Sequence, residues 1–200
     1  VASGSRLTLI TGPTRSGKSR FAEALAARRN RPVTYIATAE RDPGDAEWAA
    51  RIEAHRASRP AHWTTIETAV AGIDLPTFVR DAPSQSVLVV ESLGTWLAAL
   101  VSGLVVDGEV DTVALESSLR ARSRALVDAF AVTRAEAIVV SEQTGWGVVP
   151  PYPSARIFSS VLGRLTTSLA RTATQSFLIV SGFAIDLHVT ATVLDIEENI

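Results

Sequence analysis

Eight residues near the start of the chain carry its clearest chemistry: Gly12-Pro13-Thr14-Arg15-Ser16-Gly17-Lys18-Ser19 fits the spacing G-x-x-x-x-G-K-[ST]. Each residue type meets a demand of a bound phosphate chain. Glycines let backbone N–H groups wrap a β-phosphate, and the amino end of a following helix adds partial positive charge. The Lys18 ammonium is placed to reach the β- and γ-oxygens, and the Ser19 hydroxyl to ligate Mg²⁺. Lys18 is also the only lysine among 19 basic residues, the rest being arginine. A compact ammonium on a flexible stem is not replaced in such a cradle by a planar guanidinium. The residues predict a phosphotransferase using ATP or GTP and do not choose between the two. An accidental match in a strand-to-helix turn is expected in about one chain of this length in a hundred, and the flanking patterns weigh further against it.

A phosphate loop of this kind needs a carboxylate at the end of a neighbouring strand to hold the magnesium. Glu91, after the apolar run 87–90, and Glu142, after 138–141, both qualify. Glu91 is favoured, because a doubly wound sheet is expected to set its strand beside the first, with the side chain at the carboxyl edge. Ser19 and Glu91 are therefore the candidate metal ligands. A second group is Arg51, His55 and Arg59, which a continuous helix would align on one face at i, i+4 and i+8. An imidazole between two guanidiniums could attack a phosphate held there. Spacing alone favours a plainer reading, with His55 packed beside Trp48 and Ile52. His62 and His188 read as structural or surface residues.

The elements that must position these groups alternate. Apolar runs at 7–11, 33–37, 87–90, 137–140 and 177–180 read as strands. Helical patterns cover 16–29, a stretch from about 46 to 58, 111–130 and 155–172, while 73–86 reads as a connection with part of a helix. The tail from 185 reads as an edge strand with an acidic end. Continuous rather than alternating apolar strands indicate a parallel sheet covered on both faces. The expected fold is α/β, a P-loop NTPase-like doubly wound sheet forming a single domain over residues 1–200. The formal charge of -2 and pI near 6.0 give no basic field for nucleic acid or an anionic membrane, so a small-molecule partner is expected. No apolar run approaches the roughly 18 residues of a spanning helix, and there are no cysteines for disulfides or thiolate metal sites. A cytoplasmic location is expected.

Across most of its length the chain resembles the bifunctional adenosylcobinamide kinase and adenosylcobinamide-phosphate guanylyltransferase family of cobalamin biosynthesis. The resemblance rests on Thr11-Gly12, Arg15 to Arg20, Ala22-Glu23, Tyr35 to Ala39, Asp45, Glu47, Arg51-Ile52, His55-Arg56, Arg59-Pro60, Trp63, Thr65 and Glu67. It continues through Leu93, Thr95-Trp96, Gly145 to Pro150, Arg156, Phe158 and Gly163-Arg164. It implies phosphorylation of the cobinamide aminopropanol hydroxyl by ATP or GTP, and then transfer of GMP from GTP through a guanylylated histidine, for which His55 is the match. It further implies nucleotide contacts at Ala37, Thr38, Ala39, Arg56, Ala57, Ser58, Arg59, Glu67 and Glu91, a corrinoid substrate, and a small homo-oligomer, in form a trimer. The chain departs from the family pattern at polar positions. Glu142-Gln143 stands for Asn-Glu, Ser92 for cysteine, Gly94 for threonine, Ala99 for asparagine, Ser159-Ser160 for Arg-Asp and Thr166-Thr167 for Asn-Gln. A kinase of another small alcohol, and a nucleotide-binding protein that has lost cobinamide turnover, are the competing readings.

Overall fold

The computed structural model describes residues 6–42, 44–57, 59–104 and 110–194. Seven strands form one sheet in the order β3-β2-β4-β5-β1-β6-β7. They are β1 (Leu7–Gly12), β2 (Val33–Ala37), β3 (Thr64–Glu67), β4 (Val87–Glu91), β5 (Glu136–Glu142), β6 (Gln175–Val180) and β7 (Phe183–Asp186). The first six run parallel, and β7 returns antiparallel against β6. The eight helices among the described residues are α1 (Lys18–Ala27), α2 (Ala46–Ala57), α3 (Thr68–Ala71), α4 (Leu75–Arg80), α5 (Leu93–Ser102), α6 (Thr112–Val132), α7 (Pro153–Thr172) and α8 (Leu187–Thr190). None is long and apolar enough to cross a membrane.

The two-residue period of a strand explains why these runs are apolar throughout. Leu88, Val90, Ala137 and Val139 face the core built with α4, α5, α6 and α7. Their neighbours Val87, Val89, Ile138 and Val140 face the opposite core, where Ala22 and Ala26 of α1 pack. A mostly parallel sheet buried on both faces is the doubly wound α/β fold that the alternating pattern predicts.

Three sequence expectations change. The neighbour of β1 on the site side is β5, which ends in Glu142, so the strand ending in Glu91 lies one place further out, between β2 and β5. The helix carrying His55 stops at Ala57, so Arg59 is not on it; the proline at position 60 disfavours helical backbone in the residue before it. The tail forms β7 and the short α8 rather than a strand running on from residue 185, and residues 195–200 lie outside the described residues.

Candidate active site

The site lies across the carboxyl ends of β1, β2, β4 and β5, where open α/β sheets bind ligands. The phosphate loop joins fully buried β1 to α1. Gly17 turns the chain at φ +104°, a left-handed conformation glycine adopts without a Cβ clash. No side chain caps α1, which leaves its first amides for a ligand. Lys18 is buried, its Nζ donating to the Pro13 carbonyl at 2.8 Å. Burial pulls its pKa below that of an ordinary lysine, against the opposing fields of Glu142 and Glu91.

The two competing carboxylates are held differently. Ser19 Oγ donates to Glu91 Oε1 at 2.8 Å, while Glu91 Oε2 is sealed from solvent without a hydrogen-bond partner. Burial raises the Glu91 carboxyl to about 7, with the Ser19 hydrogen bond opposing it. Glu142 is taken up by the start of α5: the Ser92 hydroxyl donates to Oε1, and the Gly94 amide to Oε2 at 2.9 Å. A Cβ at Gly94 would stand 2.3 Å from Glu142 Oε2, so the carboxylate lies where a side chain would be. A hydroxyl beside an orphaned buried carboxylate oxygen suits Mg²⁺, a hard cation that takes one or two protein oxygens and completes its shell with phosphates and water. A cage of three or more acidic or imidazole groups is absent among the described residues.

Two cavities meet at this edge. One is lined by Thr14 to Arg20 of the loop region together with Glu47, Arg51 and Ala54. The other lies between α2 and the ends of β2 and β3, walled by Tyr35, Ala37, Ala39, Trp48, Arg59 and Glu67. His55, Arg51, Glu91 and Glu142 border both. His55 is half-buried, and its pKa is lowered first by burial and then by Arg51 and Arg59. Trp48 and Ile52 share its cavity, so the packing that spacing suggested coexists with an open face toward the phosphate loop.

These surroundings coincide with a sequence match over residues 8–187 to the family described as cobinamide kinase / cobinamide phosphate guanyltransferase. The chain belongs to that family. It is 35% identical over 184 residues to the bifunctional adenosylcobalamin biosynthesis protein CobU of Escherichia coli (strain K12), covering 90% of this chain and 99% of the relative. The Pseudomonas aeruginosa protein of the same description, CobP, is 36% identical over 179 residues, covering 90% and 95%. The CobU of Salmonella typhimurium is 34% identical over 184 residues.

Of the contacts implied by resemblance to this family, Ala37, Ala39, Arg56, Arg59, Glu67 and Glu91 line the second cavity. Thr38 is fully buried and serves the fold instead: its hydroxyl donates to the Ser92 carbonyl at 2.6 Å and accepts from the Ser92 amide at 2.8 Å. Ala57 is exposed at the end of α2, and Ser58 lies outside the described residues. Among the departures, Gln143 ties β5 to β1 by donating to Thr11 Oγ1 at 2.9 Å, and Thr166 pairs with Ser141 at 2.6 Å inside the core. Ala99 lines a shallow hollow beside Trp48 and Arg41. His62 is exposed, and His188 bonds Ser176 Oγ at 3.1 Å. Tyr35 and Arg41 are cavity residues that motif reasoning does not find. Tyr35 reads only as strand core, and Arg41 as a turn charge.

Proposed function

We propose that this single domain catalyses two successive transfers on adenosylcobinamide. ATP or GTP first phosphorylates the aminopropanol hydroxyl, and GMP from GTP then passes to the cobinamide phosphate through His55, giving adenosylcobinamide-GDP. The observation that carries the reading is the place of His55, on the wall common to the phosphate-loop cavity and the cavity bounded by Glu67. A nucleotide seated in the loop could present its phosphates to that imidazole.

In the first transfer the loop amides and Lys18 grip the triphosphate, and Lys18 offsets charge developing between the β- and γ-phosphates. Mg²⁺, held by Ser19 and Glu91, would neutralise phosphate charge and orient the γ-phosphoryl group. The acceptor hydroxyl oxygen bonds to the γ-phosphorus as the bridge to the β-phosphate breaks, releasing ADP or GDP and one proton. In the second, a neutral ring nitrogen of His55 bonds to the α-phosphorus of GTP and pyrophosphate departs. The low pKa of His55 keeps the imidazole neutral and nucleophilic at physiological pH. Arg51 and Arg59 neutralise charge on the α-phosphate during displacement. An oxygen of the cobinamide phosphate then bonds to that phosphorus, the P–N bond breaks, and the free imidazole returns. A reducing cytoplasm rich in nucleotide suits the chain, and a homo-oligomer, in form a trimer, is its proposed assembly.

The test is to incubate the protein with GTP and adenosylcobinamide and weigh both protein and product. Added GMP on the His55 peptide, stable in alkali and lost in acid, together with a cobinamide product heavier by GDP, is the expected result. Phosphorylation of other small alcohols without a protein adduct would make this a simple kinase with a structural His55. Nucleotide binding with no turnover of cobinamide would make it a relic that has lost its acceptor site.

A further inference from the structure

The second cavity contains a fixed aromatic ring that neither transfer uses. Tyr35, inside β2, is fully buried. The Arg59 guanidinium carbon lies 3.8 Å from its ring centroid. Trp63 stacks on the same ring at 6.5 Å between centroids, with the planes 27° apart. A turn closed by the Trp63 amide and the Pro60 carbonyl at 3.0 Å brings both partners back to Tyr35. None of the residues of α2 is buried, so the helix that ends just before Arg59 has no core contact of its own to fix that guanidinium.

We propose that Tyr35 is a positioning residue for guanylyl transfer: its ring carries the Arg59 guanidinium at a fixed place beside His55, to meet the α-phosphate of bound GTP. The inference rests on the guanylyl-transfer reading of His55. Two guanidiniums depress His55, and they are held unequally. Arg51 lies 5.7 Å from the ring centroid of Trp48, a residue of the same exposed helix. The ring under Arg59 belongs to the central sheet. A desolvated cation over an aromatic face is the stronger form of this attraction, and a planar guanidinium presents flat to the ring as an ammonium cannot.

The other charges that border the cavities of His55 stay in place when Arg59 moves. Glu47 and Arg56 share its helix, Lys18 stands across the loop cavity, and Glu91 and Glu142 end the strands beneath. Arg41 and Glu67 close the far wall. If Arg59 leaves its place, one charge that depresses the imidazole is lost and the carboxylates remain. The neutral fraction at a given pH falls, and the acid limb of adduct formation moves to higher pH.

The experiment follows GMP adduct formation on His55 from GTP, against pH, in Tyr35→Leu, Arg59→Gln and the double variant of the full chain. Each single variant is expected to lower the rate about ten-fold, as expected for a partly desolvated cation–π contact, and to move the acid limb to higher pH. The double variant should be no worse than Arg59→Gln alone, because Tyr35 acts through Arg59. Additive losses, or an unmoved pH profile in Tyr35→Leu, overturn the proposal while leaving the His55 adduct standing. Should Tyr35→Leu fail to fold, Tyr35→Phe keeps the ring without its hydroxyl: a wild-type rate and pH profile support the ring-held guanidinium, and a loss matching Arg59→Gln overturns it. No adduct in the wild-type protein sinks the guanylyl-transfer reading and this inference with it.

Discussion

The phosphate loop and helix α2 supply the two halves of one site and are built in opposite ways. The loop is rooted in β1, every residue of which is buried, and in α1, whose Lys18, Ala22 and Ala26 are buried. Helix α2 buries none of its residues. Its start is fastened by Asp45, whose carboxylate accepts from the Trp48 amide at 2.8 Å, and its flank by ion pairs of Arg41 with Glu53 at 3.0 Å and Arg56 with Glu67 at 3.8 Å. Exposed pairs of that kind contribute about 0–1 kcal/mol each. Under the proposed function the difference divides grip from attack: a rooted cradle would hold the triphosphate, and an element of low local stability would bring the nucleophile. Such a division suits a site that must serve the γ-phosphate in one reaction and the α-phosphate in the next.

Removing the proposed nucleophile tests that division most severely. His55→Ala is expected to abolish the GMP adduct and cobinamide-GDP formation, read by mass spectrometry, while phosphorylation of cobinamide falls far less. Equal loss of both activities would show that α2 and the loop act as one unit. Lys18→Ala attacks the other half and should cut phosphoryl transfer by about 10²–10³-fold, with the thermal midpoint little changed. Near wild-type turnover would remove the loop from the chemistry.

A third effect concerns the cost of the rigid half. The Glu91 carboxyl is raised from the ordinary 4.5 to about 7. A carboxyl held higher in the folded than in the unfolded chain adds stability below about 4.5, and that contribution is lost as pH rises through about 7. Glu91→Gln should therefore melt higher than wild type at pH 8 without metal or nucleotide, and the advantage should vanish below pH 4.5. Thermal melts across that range check it, and loss of Mg²⁺-dependent nucleotide binding in the same variant would tie the stored cost to function. The smallest expected effect is in α2. Glu53→Ala should cost less than about 1 kcal/mol globally, yet speed proteolytic cleavage within residues 46–57. Unchanged cleavage would mean that the helix is better anchored than its burial implies.

Much of the fold was legible because parallel strands covered on both faces read as unbroken apolar runs. β3 escaped because it is a short edge strand, Thr64–Glu67, with exposed threonines and no apolar run. α5 escaped because it follows β4 with only Ser92 between, and its ten residues are too uniformly apolar to show a face. The phosphate loop was legible as a local motif. Choosing Glu91 over Glu142 was compatible with the contacts observed, but its reason was not: strand order depends on long-range crossovers that local patterns do not encode. Glu91 meets Ser19 from one strand further away, while Glu142, on the nearer strand, is occupied by α5. Tyr35 and Arg59 were invisible as a pair because the turn that joins them is a product of packing.

The fit of Glu142 against Gly94 ties two positions far apart in the sequence to each other. The carboxylate occupies the space of a side chain at position 94, so a threonine there would force Glu142 to withdraw and give up the Gly94 amide. Resemblance to the family implies threonine at 94 and the shorter asparagine at 142. A comparison scoring positions one at a time counts two departures here. Sterically the two positions are coupled, because the end of the Glu142 side chain is what a side chain at position 94 would displace.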